Sequence, residues 1–200
     1  MELDHLAVAA ATLDEAAERV ETALGVRMQP GGHHAKFGTY NRLLGLADGL
    51  YLEAIAIDPD APDPDRPRWF DLDRFSGPAR LSNWICRVKD LDAALAGLPD
   101  GAGAPVDLER GALRWMMAVP GDGRLPYDNL FPALIQWQGD LHPGNMLEPS
   151  GCSLKRLVVA HPQARDLSAL LGSLPRVELV TGPAGLRAEI ETPHGLRVLE

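Results

Sequence analysis

The chain is poor in several features that would settle its class at once. It has only two cysteines, Cys86 and Cys152, in 200 residues. Neither falls in a CxxC or Cys/His spacing, which excludes a disulfide framework and a zinc-finger module. Cys86 lies in an apolar stretch and reads as a small buried hydrophobe. No apolar run approaches the roughly 18 residues that span a bilayer. No basic stretch precedes an apolar one at the N-terminus, so no secretory signal is expected and the expected compartment is the cytoplasm. Basic residues are in deficit: 19 Lys and Arg stand against 28 Asp and Glu, for a net charge of −9. They are scattered, not striped, which argues against a nucleic-acid partner. Phosphate-binding and nucleophile signatures are missing as well. GPAG and GDG have no strand–GxGxxG–helix context. Ser76, Ser82 and Ser150 lack the surroundings of a nucleophile elbow. Asp58, Asp60, Asp63 and Asp65 alternate with prolines and lack the Gly and Glu of an EF-hand loop, so they read as a solvated acidic connector.

What is present is a core and a repeat. An apolar content of 46% is enough for one sizeable core. Residues 1–200 are read as one domain built from three units, 1–58, 80–139 and 152–200. Each unit opens on a similar run: LDHLAVAA from Leu3, LSNWICRV from Leu81, LKRLVVAH from Leu154. Alternating faces make each a half-buried strand. A helical pattern follows each time. In the first, Leu13, Ala16, Ala17, Val20 and Leu24 share a face, Thr12 and Glu15 form a capping-box pair, and Gly25 can end the helix. In the second, Leu91, Ala94, Leu95 and Leu98 share a face behind the cap Asp90, and in the third Leu167, Leu170, Leu171 and Leu174 do so. Three strand-like runs follow every helix, so each unit predicts β-α-β-β-β. The fold class is therefore α+β, with repeated βαβββ units whose helices cover one sheet face and whose other face rolls into a cup. GGHHAKFGTYN is expected to be a loop between the second and third strands of unit one. WFDLDRF is expected to form a short helical turn.

A βαβββ repeat opening on LDHL resembles the vicinal oxygen chelate superfamily of glyoxalases, bleomycin-resistance proteins and extradiol dioxygenases. The segments LDHLAVAAATL, GGHHAKFGTYNRLLGLADGLYLEAIAIDPDAP with RPRWF, IQWQGDLHP and LRAEIETPHGLRVL most resemble the bacterial glyoxalase-like domain group. The resemblance implies the fold and leaves the reaction open, with lyase, isomerase and dioxygenase chemistry all represented. In the superfamily, metal ligands come from the first and last strands of two paired units. His5 and Glu53 match those positions in unit one. The same alignment puts Asn83 and Gln136 at the corresponding positions of unit two, and neutral amides are poor ligands for Zn²⁺, Fe²⁺, Mn²⁺ or Ni²⁺. Two strong donors, where a facial triad needs three, favour a metal-free pocket over a divalent-metal site.

Strand alternation supports His5 and Glu53 as cup residues, because Leu6 and Val8, and Leu52 and Ala54, take the helix face. The alternative roles are an edge histidine bonded to a carbonyl for His5 and a partner for a buried arginine such as Arg42 or Arg114 for Glu53. His34 and Asn41 match the group's loop motif and are expected to line the pocket, with His34 able to titrate near neutrality as an acid or base. His33 is expected to be solvated. Gln136 is expected to face the cup and Trp137 the helices. His142, held extended by Pro143, is expected near the same rim. The partner these residues suggest is a small oxygen-rich molecule. His34 and Glu53 would be catalytic. His5, Asn41, Asn83, Gln136 and His142 would bind ligand, and His5 with Glu53 would bind a metal if one is used. The alternative is a metal-free protein that sequesters a small molecule without transforming it. Unpaired sheet edges make a homodimer plausible.

Overall fold

The computed structural model describes residues 1–98 and 100–200. The element order repeats as expected. Unit one runs β1 (Glu2–Ala9), α1 (Leu13–Leu24), β2 (Gln29–His34), β3 (Thr39–Leu46) and β4 (Tyr51–Ile57). Unit two runs β5 (Arg80–Arg87), α2 (Leu91–Leu95), β6 (Ala104–Arg110), β7 (Leu113–Val119), a short turn α3 (Pro126–Asn129) and β8 (Ala133–Gln138). A single turn α4 (Pro143–Met146) leads to the third unit: β9 (Pro149–Ala160), α5 (Ala164–Leu171), β10 (Val177–Val180), β11 (Gly185–Thr192) and β12 (Gly195–Leu199). No helix among the described residues is long and apolar enough to cross a membrane.

All strands join one curled, unclosed sheet in the order β12-β11-β9-β3-β4-β1-β5-β8-β7-β6, with β10 on β9 and β2 on β3. Unit one is the hub. It meets unit two through the antiparallel β1–β5 pair and unit three through a short parallel β3–β9 contact. β1 is buried from Leu3 to Ala9 because both its faces are covered. Leu6 and Val8 pair with Leu52 and Ala54 in the parallel β1–β4 ladder, so these four share one face, the one α1 packs on. That helix buries Leu13, Ala16, Ala17, Val20 and Leu24, is capped by Thr12 Oγ1 accepting from the Glu15 amide at 3.2 Å, and ends at Gly25 in the left-handed region. The opposite face carries His5, Ala7, Tyr51 and Glu53 into the concavity.

Two local expectations are corrected. GGHH is not loop but the body of β2, and only Ala35–Gly38 turns. The glycines serve a close approach: a Cβ on Gly31 would lie 2.1 Å from Asn41 Oδ1. α2 is shorter than its apolar spacing predicts. Only Leu91 of it is buried, and Leu98 lies beyond its end. The predicted turn at WFDLDRF is present as a 3-10 turn, Trp69–Arg74, with Phe70 and Asp71 at positive φ.

Candidate functional site

The site is built from strand geometry upward. His5 of β1 and Glu53 of β4 lie on one sheet face two positions apart in register, since His5 pairs with Tyr51 and Ala7 with Glu53. Their side chains meet: His5 Nε2 stands 3.6 Å from Glu53 Oε2. The His5 ring stacks on Tyr51 at 4.3 Å between centroids. From β3, Asn41 Nδ2 donates to Glu53 Oε1 at 2.5 Å, and Asn41 Oδ1 accepts from the Gly32 amide at 2.8 Å. His34 closes the group, its Nε2 lying 4.0 Å from Glu53 Oε1. His34 Nδ1 donates to Thr39 Oγ1 at 3.0 Å. This leaves Nε2 as an acceptor, which takes a hydrogen bond from Arg110 Nη1 at 3.2 Å. Trp69, Phe70, Trp115 and Trp137 wall the pocket, which is partly open to solvent and whose free space is about 30 Å³.

Asp4 lies behind His5 and is fully buried. It accepts from His5 Nδ1 at 2.6 Å, from His142 Nε2 at 2.9 Å and from Trp137 Nε1 at 3.0 Å. His142 Nδ1 accepts from the Gly144 amide at 3.1 Å, which fixes its Nε2 as the protonated nitrogen. Simple alternation would put Asp4 with Leu6, toward the helix. The register of β1 against β5 slips between Leu3 and His5, making Asp4 the extra residue of a bulge. A bulge re-aims a side chain, and here it turns Asp4 to the back of the histidine.

These contacts set the charges. Burial is the strongest influence on His5 and opposes its protonation, yet the hydrogen bond to Asp4, then the Glu53 carboxylate, outweigh it and raise the pKa to about 8. Burial would raise Glu53, but His5 and Asn41 hold it down at about 2. Asp4 is likewise held well below the usual carboxylate range, its hydrogen bonds to His142 and His5 overcoming burial. Burial lowers His34 to about 4, reinforced by the charge on Arg110 and only partly countered by Glu53. Near neutrality the pocket therefore holds an imidazolium at His5, a carboxylate at Glu53 and a neutral imidazole at His34.

Of the residues singled out in the sequence, His5, His34, Asn41 and Glu53 come together. Three do not join them. Gln136 lies on the opposite face of β8, where its Oε1 accepts from the Leu91 amide at 2.7 Å and caps α2. The pocket face of β8 belongs to Ile135 and Trp137, reversing the expectation that Trp137 faces the helices. Asn83 is fully buried and donates to the Asn129 carbonyl at 3.3 Å, away from the pocket lining. His142 has the expected extended backbone but stands behind Asp4 and does not share His34's rim. Arg42 and Arg114, the alternative partners for Glu53, pair instead with Asp14 and Glu109. His33 is exposed, as expected, yet bonds Asp58 at 2.6 Å. Sequence reasoning missed Asp4, Tyr51, Trp69, Trp115 and Arg110. Asp4 left a faint signal, an acid inside an otherwise apolar strand beside the key histidine. Arg110 left none, because it arrives from another unit.

The geometry also tests the chelate expectation. Two units would have to supply ligands to one centre, but Asn83 and Gln136 are engaged elsewhere. Among the described residues no three His, Cys, Asp or Glu side chains are arranged to hold a metal ion. The side chains present do not fit the superfamily's two-unit chelate.

A profile of the glyoxalase-like domain matches residues 3–174. No functionally curated protein matches the chain. Among solved structures, a hypothetical protein from Staphylococcus aureus is similar over 84% of this chain and 72% of its own, with 16% identity and a TM-score of 0.54. Methylmalonyl-CoA epimerase from Mycobacterium tuberculosis is similar over 70% of this chain and 89% of its own, with 21% identity and a TM-score of 0.44. A variant of the methylmalonyl-CoA epimerase from Streptomyces coelicolor, in complex with 2-nitronate-propionyl-CoA, is similar over 70% and 99%, with 17% identity and a TM-score of 0.44. At these identities the likeness is one of fold. With the repeated βαβββ order, the curled sheet and a profile match over most of its length, the chain belongs to the glyoxalase-like domain family.

Proposed function

We propose that the concave pocket binds a small oxygen-rich molecule and moves a proton on it, with Glu53 and His34 as proton acceptors and His5 as the donor. The observation that supports this most is the convergence of one charged donor and two acceptors inside an aromatic-walled cavity. His5 Nε2 and Glu53 Oε2, at 3.6 Å, are too far apart for a good hydrogen bond. An oxygen lying off that line can reach both at about 2.8 Å. Such an oxygen, once protonated or polarised by the His5 imidazolium, acidifies a neighbouring C–H or O–H, and a carboxylate or imidazole within about 4 Å takes the proton. Asp4 holds the His5 ring in place and stabilises its charged form, and Asn41 orients Glu53. The aromatic walls make the surroundings of these groups mainly apolar, which strengthens each of these interactions.

The test is solvent deuterium exchange followed by NMR over a panel of small hydroxy- and oxo-compounds, including pyruvate, lactate, hydroxyacetone and dihydroxyacetone. Carbon-bound hydrogen should exchange with at least one member in the wild-type protein, and Glu53→Gln should abolish the exchange while leaving the fold intact. If panel members quench the pocket tryptophans but none exchanges, the non-catalytic binding reading replaces this one.

A further inference from the structure

Arg110 belongs to the second unit but serves the first. It is the last residue of β6, the terminal strand of the sheet on that side. Its guanidinium crosses the seam between β6 and β2, where a Cβ on Gly32 would lie only 2.7 Å from Arg110 Cδ. Nη1 donates to Asn41 Oδ1 at 3.1 Å and to His34 Nε2 at 3.2 Å. Both acceptors are neutral. Among the described residues no carboxylate lies within ion-pair distance of Arg110, and its Nε and Nη2 bond no protein group. Its neighbours differ: Glu109 pairs with Arg114 at 3.1 Å, and the Asp107 carbonyl accepts from Lys36 at 2.7 Å. Among the described residues Arg110 is the only arginine or lysine lining the pocket.

We propose that Arg110 is the seat of a carboxylate carried by the pocket's small-molecule ligand, which makes that ligand a short 2-oxo or 2-hydroxy acid. The proposal rests on the proton-transfer reading for the ligand's position, and adds its chemical class. Three observations carry it. The guanidinium offers an unused edge of parallel N–H donors, the shape that clasps a carboxylate in two bonds. Its present acceptors, an amide oxygen and an imidazole nitrogen, are both neutral and both on Nη1, so its charge has no ion-pair partner and its free edge stays open to a carboxylate. The pocket lining carries one carboxylate, Glu53, whose charge the His5 imidazolium offsets, and the chain has a net charge of −9, so an anion needs a further cation to enter, and Arg110 is that cation.

The geometry also links binding to chemistry. A groove outside the pocket shares His34 and Trp115 with it and is lined by two basic residues, Lys36 and Arg114, and two acidic ones, Asp107 and Glu109. An acid arriving there meets Arg110 at His34. Clasped at the free Nε and Nη2 edge, the acid lies beside His34 and within the same pocket as Glu53 and His5.

Three of the four tryptophans, Trp69, Trp115 and Trp137, line the pocket, so intrinsic fluorescence reports occupancy directly. The experiment titrates wild-type protein, Arg110→Gln, Arg110→Lys and Glu53→Gln with pyruvate, glycolate and oxalate, and with the neutral probes methyl pyruvate and hydroxyacetone. The acids should quench with an affinity at least about tenfold above methyl pyruvate, the value of one charge-assisted bidentate pair. Arg110→Gln should remove that advantage, so that acid and ester quench with similar affinity while circular dichroism shows the fold retained, and Arg110→Lys should restore part of it. Glu53→Gln should keep acid binding even where it abolishes exchange, which separates this proposal from the proton-transfer reading. Equal affinity for acid and ester, undiminished acid binding by Arg110→Gln, or no quenching by any acid at millimolar concentration overturns the assignment.

Discussion

Replacing Asp4 by Asn tests the deepest part of the site. The exchange keeps the side chain's size and removes one charge. Asp4 accepts from three donors, the His5, His142 and Trp137 N–H groups. An amide offers one acceptor oxygen. If that oxygen stays on His5, the amide NH₂ points at two N–H groups, one of them on His142, whose tautomer is locked by the Gly144 amide. The His5 imidazolium also loses its nearest counter-charge in a fully buried position. Removing one partner of a buried ion pair costs about 3–5 kcal/mol. For a chain of 200 residues that lowers the melting temperature by roughly 10 °C. Urea unfolding monitored by circular dichroism measures it, and the midpoint should fall with the slope unchanged. The pKa of His5 should also fall below its ordinary value, since burial then acts with one carboxylate fewer to oppose it. A loss of less than about 1 kcal/mol would refute the account of Asp4 as an essential acceptor.

Other outcomes follow from the same geometry. His5, raised to about 8, stabilises the fold below pH 6.5 and loses that contribution as pH rises through 8, an effect of about 2 kcal/mol. His34, lowered to about 4, acts in the opposite sense: below pH 6.5 the unfolded chain takes up a proton the folded one refuses, costing about 3 kcal/mol by pH 4. Stability against pH should therefore peak near 6.5, with His5→Gln flattening the alkaline limb and His34→Gln the acid limb; a curve flat from pH 4 to 8 contradicts both assignments. Imidazole NMR should find His34 neutral and protonated at Nδ1 down to about pH 4. Gly31→Ala would place a methyl group against Asn41, so it should cost about 1–3 kcal/mol and release Glu53 from its amide partner; unchanged stability would mean that β2 can shift away freely. Added Mn²⁺, Zn²⁺ or Ni²⁺ should leave the melting temperature unchanged, and a saturable rise that His5→Gln and Glu53→Gln abolish would place an ion at those residues.

Near-neighbour chemistry was legible in the letters. The apolar spacing of Leu13 to Leu24, with Thr12 ahead and Gly25 behind, dictates α1 because capping and amphipathicity act within a few residues. Period-two alternation in LDHLAVA and YLEAIAI puts His5 and Glu53 on one face, and the fold keeps them there because both strands are central and in register. Alignment of the second unit was weaker ground. Gln136 followed from matching letters, but the face of a strand follows from its register, and a slip of one residue exchanges the faces. Asp4 escaped for the same reason, since a bulge reverses alternation without leaving a mark in composition. GGHH looked like a loop because glycine is commonest there, whereas its glycines make room for Asn41. Arg110 could not be found at all: it lies 76 residues from His34 along the chain, and only the curl of the sheet across the β2–β6 seam sets it against the imidazole. Local periodicity is enough to specify the repeated unit and to bring one histidine to one acid. The remaining pocket side chains and the charge on each depend on burial and long-range contact, which exist only once the sheet has curled.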